Sequence, residues 1–316
     1  MASKIGRREF LARTAKLGAG AVLGEKILAG LGGGPRSALA AGVPGLAVVS
    51  GTDYGAMAAK AVELLGGISA FVPKGARVLL MPNVQSKNPG TYTKPEILRA
   101  AIKMCKAAGA KEIACLSYLT QPNWDGAGLA QVIQEEGTVL RLIPRDDANF
   151  KKTAVPDPLK FPEAMIMKAF YEYDVFVNMP ITKDHAGTKF TGTLKNLMGL
   201  NAPSMNRAQF HMPNWQTDPV AIEHLEACIV DLNAVLRPTL NIVDATEIIR
   251  TNGPMGPGEL IKPGRIVAGA DRVAVDAMCA TFLGLKAEDV IMIRKAAERK
   301  LGEIDLKKVA VREAKV

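Results

Sequence analysis

The sequence predicts an α/β protein, a mostly parallel sheet flanked by helices and arranged in two lobes that meet near residue 180. Three observations predict it. Short apolar runs alternate with segments whose apolar residues recur every three or four positions. Several of those runs end on polar residues, as strands do where open α/β sheets bind ligands. The composition, 48% hydrophobic and 22% charged over 316 residues, supplies core material for one large domain or two smaller lobes.

Leu46–Ser50, Arg77–Met81, Glu112–Leu116, Val139–Ile143 and Val175–Met179 read as strands. Ala56–Leu65, Pro95–Ala108, Gly128–Glu136 and Pro162–Glu172 read as the helices between them, with Gly109 capping the second. Beyond residue 180 the pattern changes. A helix over Pro219–Leu236 leads to a strand at Leu240–Val243 that ends on Asp244, and a Gly/Pro-rich loop spans Gly253–Gly258. A strand at Arg265–Ala268 and helices over Arg272–Leu283 and Asp289–Lys300 complete the chain. The division expected is a leader over 1–40, an N-terminal lobe over 41–180 and a C-terminal lobe over 181–316.

The leader accounts for most of the charge. Residues 1–40 carry +5 of the net +9, leaving +4 for the rest, and aromatics are 5%. Neither number suits a nucleic-acid surface. Arg7-Arg8 followed by Phe10-Leu11 is close to the twin-arginine export pattern, and Ala38-Leu39-Ala40 offers a small-x-small cleavage site. The apolar stretch between them, interrupted by Glu25 and Lys26, falls short of the ~20 residues that span a bilayer. The expectation is a removable leader and a periplasmic or otherwise exported protein with no transmembrane segment in its mature part. An amphipathic helix of the folded domain is the competing reading. Because the twin-arginine route carries folded proteins, resemblance to such leaders also implies a cofactor loaded before export.

Four cysteines stand without a C-x-x-C pair, which excludes a local iron–sulfur or zinc-ribbon motif. They read as buried small hydrophobes, with a Cys105–Cys115 disulfide as the alternative. The mature part has no G-x-G-x-x-G, no Walker-type loop and no G-x-S-x-G elbow, so conventional nucleotide and α/β-hydrolase sites are not expected. Polar residues gather instead behind strand ends: Asn83, Ser117-Tyr118, Asn178 and Asp244. Asp271 reads as a helix N-cap, whereas Asp276 sits between Val275 and Ala277 and reads as a buried carboxylate that needs a partner. Directly after Val175–Met179 comes PITKDHAGTKFTGTLKNLMGL, which places Lys183, His185, Lys195 and Asn196 in one short span. His211 follows, and His224 reads as a surface residue of the next helix.

Asp184-His185 and then Thr191-Gly192-Thr193-Leu194-Lys195-Asn196-Leu197-Met198-Gly199 resemble the K-T-H…T-G-x-x-K-N-x-x-G signature of the proteins called domain of unknown function 362. Asn83 after Pro82, Ile242-Val243-Asp244, Gly253-Pro254 and Gly269–Ala277 follow the same pattern in order. Asp184 stands where that family usually has Thr, and the ferredoxin-like cysteine module of many members is absent from this sequence. A more distant likeness is to the nickel-pincer lactate racemase family, in which a histidine precedes a lysine by ten residues and a second histidine follows it by sixteen. His185, Lys195 and His211 fall at these intervals. The resemblance implies that His185 is an acid/base, that Lys195 holds a nickel-pincer-type nucleotide or another metal cofactor, and that His211 ligates the metal. That family has a further histidine after an earlier strand; here the stretch reads Leu116-Ser117-Tyr118-Leu119.

The leading expectation is therefore an exported protein with a cofactor- or metal-dependent site acting on a small hydroxy- or carboxy-acid. His185, Lys195 and His211 form its centre, with Lys183, Asn83, Asn196, Asp244 and Asp276 supporting cofactor binding. The alternatives are a non-catalytic periplasmic protein that binds a small anion, and an accessory subunit of a membrane-associated redox complex.

Overall fold

The computed structural model describes residues 45–316; the expected leader lies outside them. Twelve strands are described, and eight form one sheet in the order β12-β1-β11-β8-β7-β2-β3-β4. In sequence these are β1 (Leu46–Ser50), β2 (Arg77–Pro82), β3 (Glu112–Ser117), β4 (Val139–Leu142), β7 (Val175–Met179), β8 (Leu240–Ala245), β11 (Arg265–Gly269) and β12 (Val311–Lys315). Neighbours pair in parallel except where β11 lies antiparallel between β1 and β8. Residue 180 falls just after β7, which pairs with β8 of the second half.

The inner strands are apolar on both faces because both faces are covered, whereas the edge strands β4 and β12 have no buried residue. Along β2, Leu79 and Met81 join one buried cluster while Val78 and Leu80 join the other. One face is packed by α1 (Tyr54–Leu64), α2 (Pro95–Ala107), α3 (Gln121–Gly126) and α4 (Leu129–Glu135) through Met57, Ile97, Trp124 and Leu129. The other is packed by α6 (Pro219–Val235), α7 (Arg272–Thr281) and α8 (Ile291–Glu298) through Leu225, Val273 and Met292. A one-turn helix, α5 (Thr193–Asn196), precedes these. The caps follow the sequence. Asp53, Asp218 and Asp271 accept backbone N–H bonds at the starts of α1, α6 and α7, and Gly109 takes a left-handed φ of 79° after α2.

Two expectations are corrected. Pro162–Glu172 is not a helix: β6 (Glu163–Met167) pairs antiparallel with β5 (Phe150–Ala154), and a 3-10 turn follows. Ala164 and Ile166 are buried at a spacing of two, which the short apolar stretch fitted as readily as a helical one. His224 is half-buried, with Nε2 donating to the Gln209 carbonyl at 2.6 Å. All four cysteines are buried and unpaired. No helix among the described residues is long and apolar enough to cross a membrane.

Candidate functional site

β2, β3, β7 and β8 run parallel, so their carboxyl ends share one edge of the sheet. The chain leaves β7 on that edge, and Thr182 N–H donates to the Asp244 carbonyl at 2.8 Å. Lys183 and Thr191 then exchange backbone hydrogen bonds of 3.2 and 2.9 Å, closing the 184–190 loop. Its tip is tightened by Lys189 N–H donating to the His185 carbonyl at 2.8 Å. Asp184 accepts from Gly253 N–H at 2.8 Å, and a Cβ on Gly253 would fall 1.8 Å from the Asp184 carbonyl oxygen. Only glycine fits there. The polar stretch behind β7 is thus an ordered loop rather than a solvated turn.

α5 is set by Asp276. Its two carboxylate oxygens accept from Thr193 N–H at 2.6 Å and Leu194 N–H at 2.9 Å, and burial pushes this carboxyl up to about 7. A Cβ on Gly192 would lie 2.3 Å from Asp276 Oδ1, so glycine is required for the carboxylate to come this close. Asp244 is used similarly. It accepts from Lys94 N–H at the start of α2 (3.0 Å) and from the Thr246 amide and hydroxyl (2.9 and 2.7 Å).

Asn196, on the last residue of α5, donates to the Met81 carbonyl and to Asn178 Oδ1, and accepts from Asn83 Nδ2 at 3.1 Å. Asn83 Oδ1 in turn accepts from Lys183 Nζ at 3.2 Å. Lys183 is fully buried; its second bond goes to the Thr91 carbonyl at 2.6 Å, and burial, aided by the nearby Lys195 charge, brings its amine down to about 7. Lys195 lies beside Asn196 with Nζ 3.5 Å from Met198 Sδ. Burial lowers this amine to about 8, against the pull of the Glu226 carboxylate.

The histidines are held alike. His185 is 3% exposed, and its Nδ1 meets the Ala186 carbonyl; His211 Nδ1 meets the Asn206 carbonyl at 2.7 Å. A carbonyl only accepts, so both Nδ1 atoms carry the proton and both Nε2 atoms keep a lone pair. Burial, with the Lys195 charge behind it, lowers both rings from the usual histidine range, His185 to about 2. The Trp215 ring packs against both, with centroids 5.4 Å from His185 and 4.9 Å from His211. Tyr118 Oη, beyond β3, lies 3.5 Å from the Met198 carbonyl and 3.4 Å from Asn206 Nδ2, under the segment that carries His211.

The structure therefore joins Asn83, Lys183 and Asn196 by direct bonds and sets His185 and His211 against one tryptophan. Asp244 and Asp276 reach the region through the backbone they anchor. Sequence reasoning did not single out Trp215, Thr91, Asn241 or Glu226. An asparagine inside an apolar strand, as in Leu240-Asn241-Ile242-Val243, was a usable signal, because a buried amide must find partners.

A thylakoid-associated protein of Synechocystis sp. is 28% identical over 248 residues, covering 76% of this chain and 73% of the relative. The lactate racemase apoprotein from Thermoanaerobacterium thermosaccharolyticum aligns over 73% of this chain and 57% of its own, at 13% identity and a TM-score of 0.44. A protein from Thermotoga maritima aligns over 78% of this chain and 58% of its own, at 12% identity and a TM-score of 0.44. The chain thus spans under three fifths of either solved chain. The model of the family described as Domain of unknown function (DUF362) matches residues 78–281, a stretch running from β2 through the loop, the lysines, both site histidines and Asp276 to the end of α7, and the chain belongs to that family.

Proposed function

We propose that the 181–211 segment forms a cofactor-dependent acid/base site acting on a small hydroxy- or carboxy-acid. One observation carries the reading: His185 and His211 both commit Nδ1–H to a backbone carbonyl, which leaves an Nε2 lone pair on each ring, within the electrostatic reach of Lys195. Fixing one ring nitrogen in this way is how proteins prepare the other for a metal or a proton. Among the described residues no group of three or more His, Cys, Asp and Glu side chains could hold a metal alone. A cofactor that brings its own ligands and needs one protein nitrogen fits this donor set. His211 Nε2 would supply that nitrogen, and the lowered Lys195 amine, neutral in part near pH 7, would attach the organic portion. A nickel-pincer-type nucleotide, when bound, supplies a hydride acceptor. His185 takes the proton at Nε2, with the Trp215 ring packed against both imidazoles. Asp276 and Asp244 hold the backbone on which the binding residues stand. With Tyr118 Oη turned to Met198 and Asn206, one histidine serves as the base.

Elemental analysis and intact mass of protein purified from its native host test the proposal. Bound metal and a mass increment on Lys195 support it. A metal-free chain with unmodified Lys195 rejects it and leaves the binding-protein reading. That second reading has its own support: Lys183 and Lys195 each lie in the site without an ion-paired carboxylate among the described contacts, as a pocket for an anion requires. Export by the twin-arginine route belongs to the same proposal, and loss of secretion on replacing Arg7 and Arg8 by lysine tests it. Co-purification with a membrane complex would favour the accessory-subunit role, towards which the thylakoid-associated relative points.

A further inference from the structure

The asparagines around the site form a directed chain. Lys183 Nζ donates to Asn83 Oδ1 (3.2 Å), Asn83 Nδ2 to Asn196 Oδ1 (3.1 Å), and Asn196 Nδ2 to Asn178 Oδ1 (2.8 Å). Asn178 Nδ2 then donates to Asn241 Oδ1 (3.1 Å), and Asn241 Nδ2 ends the run on the Gly269 carbonyl (3.1 Å). All four amides are at least nine-tenths buried. The run crosses from the end of β2 through α5 to β7, β8 and β11, and Asn178 and Asn241 are register partners on adjacent strands. An amide has a donor end and an acceptor end, so one flip would set N–H against N–H and leave two buried groups unpaired. A donor at position 183 fixes the direction, because Asn83 must turn its oxygen to the amine. The next amide is thereby oriented, and so on along the run. Asn178 also donates to the Thr193 carbonyl (3.1 Å), so the chain grips α5 at both of its ends, Thr193 and Asn196.

We propose that Asn83, Asn178 and Asn241 are positioning residues for Lys195, acting through this one-way amide chain that fixes α5 between Lys183 and the Gly269 carbonyl. The inference rests on the reading of Lys195 as the working amine of the site. Four links hold the turn from the sheet side, while Asp276 holds its amides from α7. Cutting the chain frees the turn on one side only. Lys195 then leaves its half-buried position without the fold being lost.

Trace acylation of the full-length chain with acetic anhydride across pH 6–11, read as Lys195 peptide mass on the fraction with an unmodified lysine, tests this. The native amine should reach half-maximal reactivity near pH 8. Asn178→Ala and Asn241→Ala should move that midpoint up by about one pH unit or more, towards the ordinary lysine value. Asn83→Ser cuts the chain at its least buried amide and should do the same, which keeps the test available if the inner variants do not fold. Val49→Ala, a cavity in the distant strand β1, should leave the midpoint in place. An unmoved midpoint in folded Asn83→Ser, or an equal shift in Val49→Ala, overturns the proposal. The labelling reads the amine itself. A protein without metal or adduct would sink the cofactor reading while leaving this result intact.

Discussion

Two sets of buried polar side chains lie within one sheet edge, and they differ in what remains free. Asp244, Asp276 and the four asparagines have their oxygens engaged by backbone or amide N–H groups, by the Thr246 hydroxyl or by the Lys183 amine. His185 and His211 each have one nitrogen engaged and one lone pair left over. Burial alone does not mark a functional group, since Asp276 is more buried than His211. The unused valence does. Acids with both oxygens occupied build the frame, and rings with an open nitrogen are available for chemistry.

The largest effect should come from the open nitrogens. His185→Ala should lower turnover by about 10²–10⁴-fold while metal is retained, because a proton carrier is removed and not a ligand. His211→Ala should lose the metal in dialysed protein, and Lys195→Ala should lose any covalent increment in intact mass. If His185→Ala strips the metal as His211→Ala does, the division of roles between the two rings is wrong. On the frame side, Asp276→Ala leaves the Thr193 and Leu194 amides without their acceptor. Urea unfolding should show a loss of about 1–3 kcal/mol. A loss within experimental error would mean that water replaces the carboxylate, and that α5 stands without it.

Much of this frame was legible in the sequence. The apolar runs at Leu46–Ser50, Arg77–Met81 and Val175–Met179 could be placed because a strand buried on both faces is apolar throughout. The β5–β6 pair escaped because Lys151 and Lys152 face solvent and leave too short an apolar pattern to separate period two from period three or four. At the site, the spacing of His185, Lys195 and His211 could be read, and the structure shows two of the three against one ring. Trp215 could not be read in the same way, and Asn241 could be read as a buried amide but not assigned its partners. Their contacts depend on strand register and on where a loop returns, and β7 pairs with β8 over only Val177↔Leu240 and Asn178↔Asn241. A slip of one residue would have turned Asn241 to the other face.

The smallest expected effect is the net pH dependence of stability, because the two sets pull in opposite directions. Asp276 is raised from 3.8 to about 7 and Glu226 from 4.5 to about 7, both through burial. Between those values the folded chain holds protons that the unfolded chain has released, so these acids favour folding at low pH and lose that contribution as pH rises to about 7. His185 is lowered from 6.5 to about 2 by burial, and His211 moves the same way. Over that window the unfolded chain holds the extra proton, so the rings favour folding above pH 6.5 and lose that contribution as pH falls. Each unbalanced proton tilts stability by about 1.4 kcal/mol per pH unit at most. Between pH 4.5 and 6.5 the falling slope of the buried acids, Asp244 among them, opposes the rising slope of the rings, and the unfolding midpoint in urea should move less than either set alone would move it. Lys183 and Lys195, lowered to about 7 and about 8, add a rising slope only above that range. Removing one member should uncover the other set. Asp276→Asn should tilt the native profile towards greater stability at pH 6.5 than at 4.5, and His185→Gln should tilt it the opposite way. Matching slopes in the two variants would show that the buried acid and the buried ring do not titrate against each other, and that the contrast between frame and site is not electrostatic.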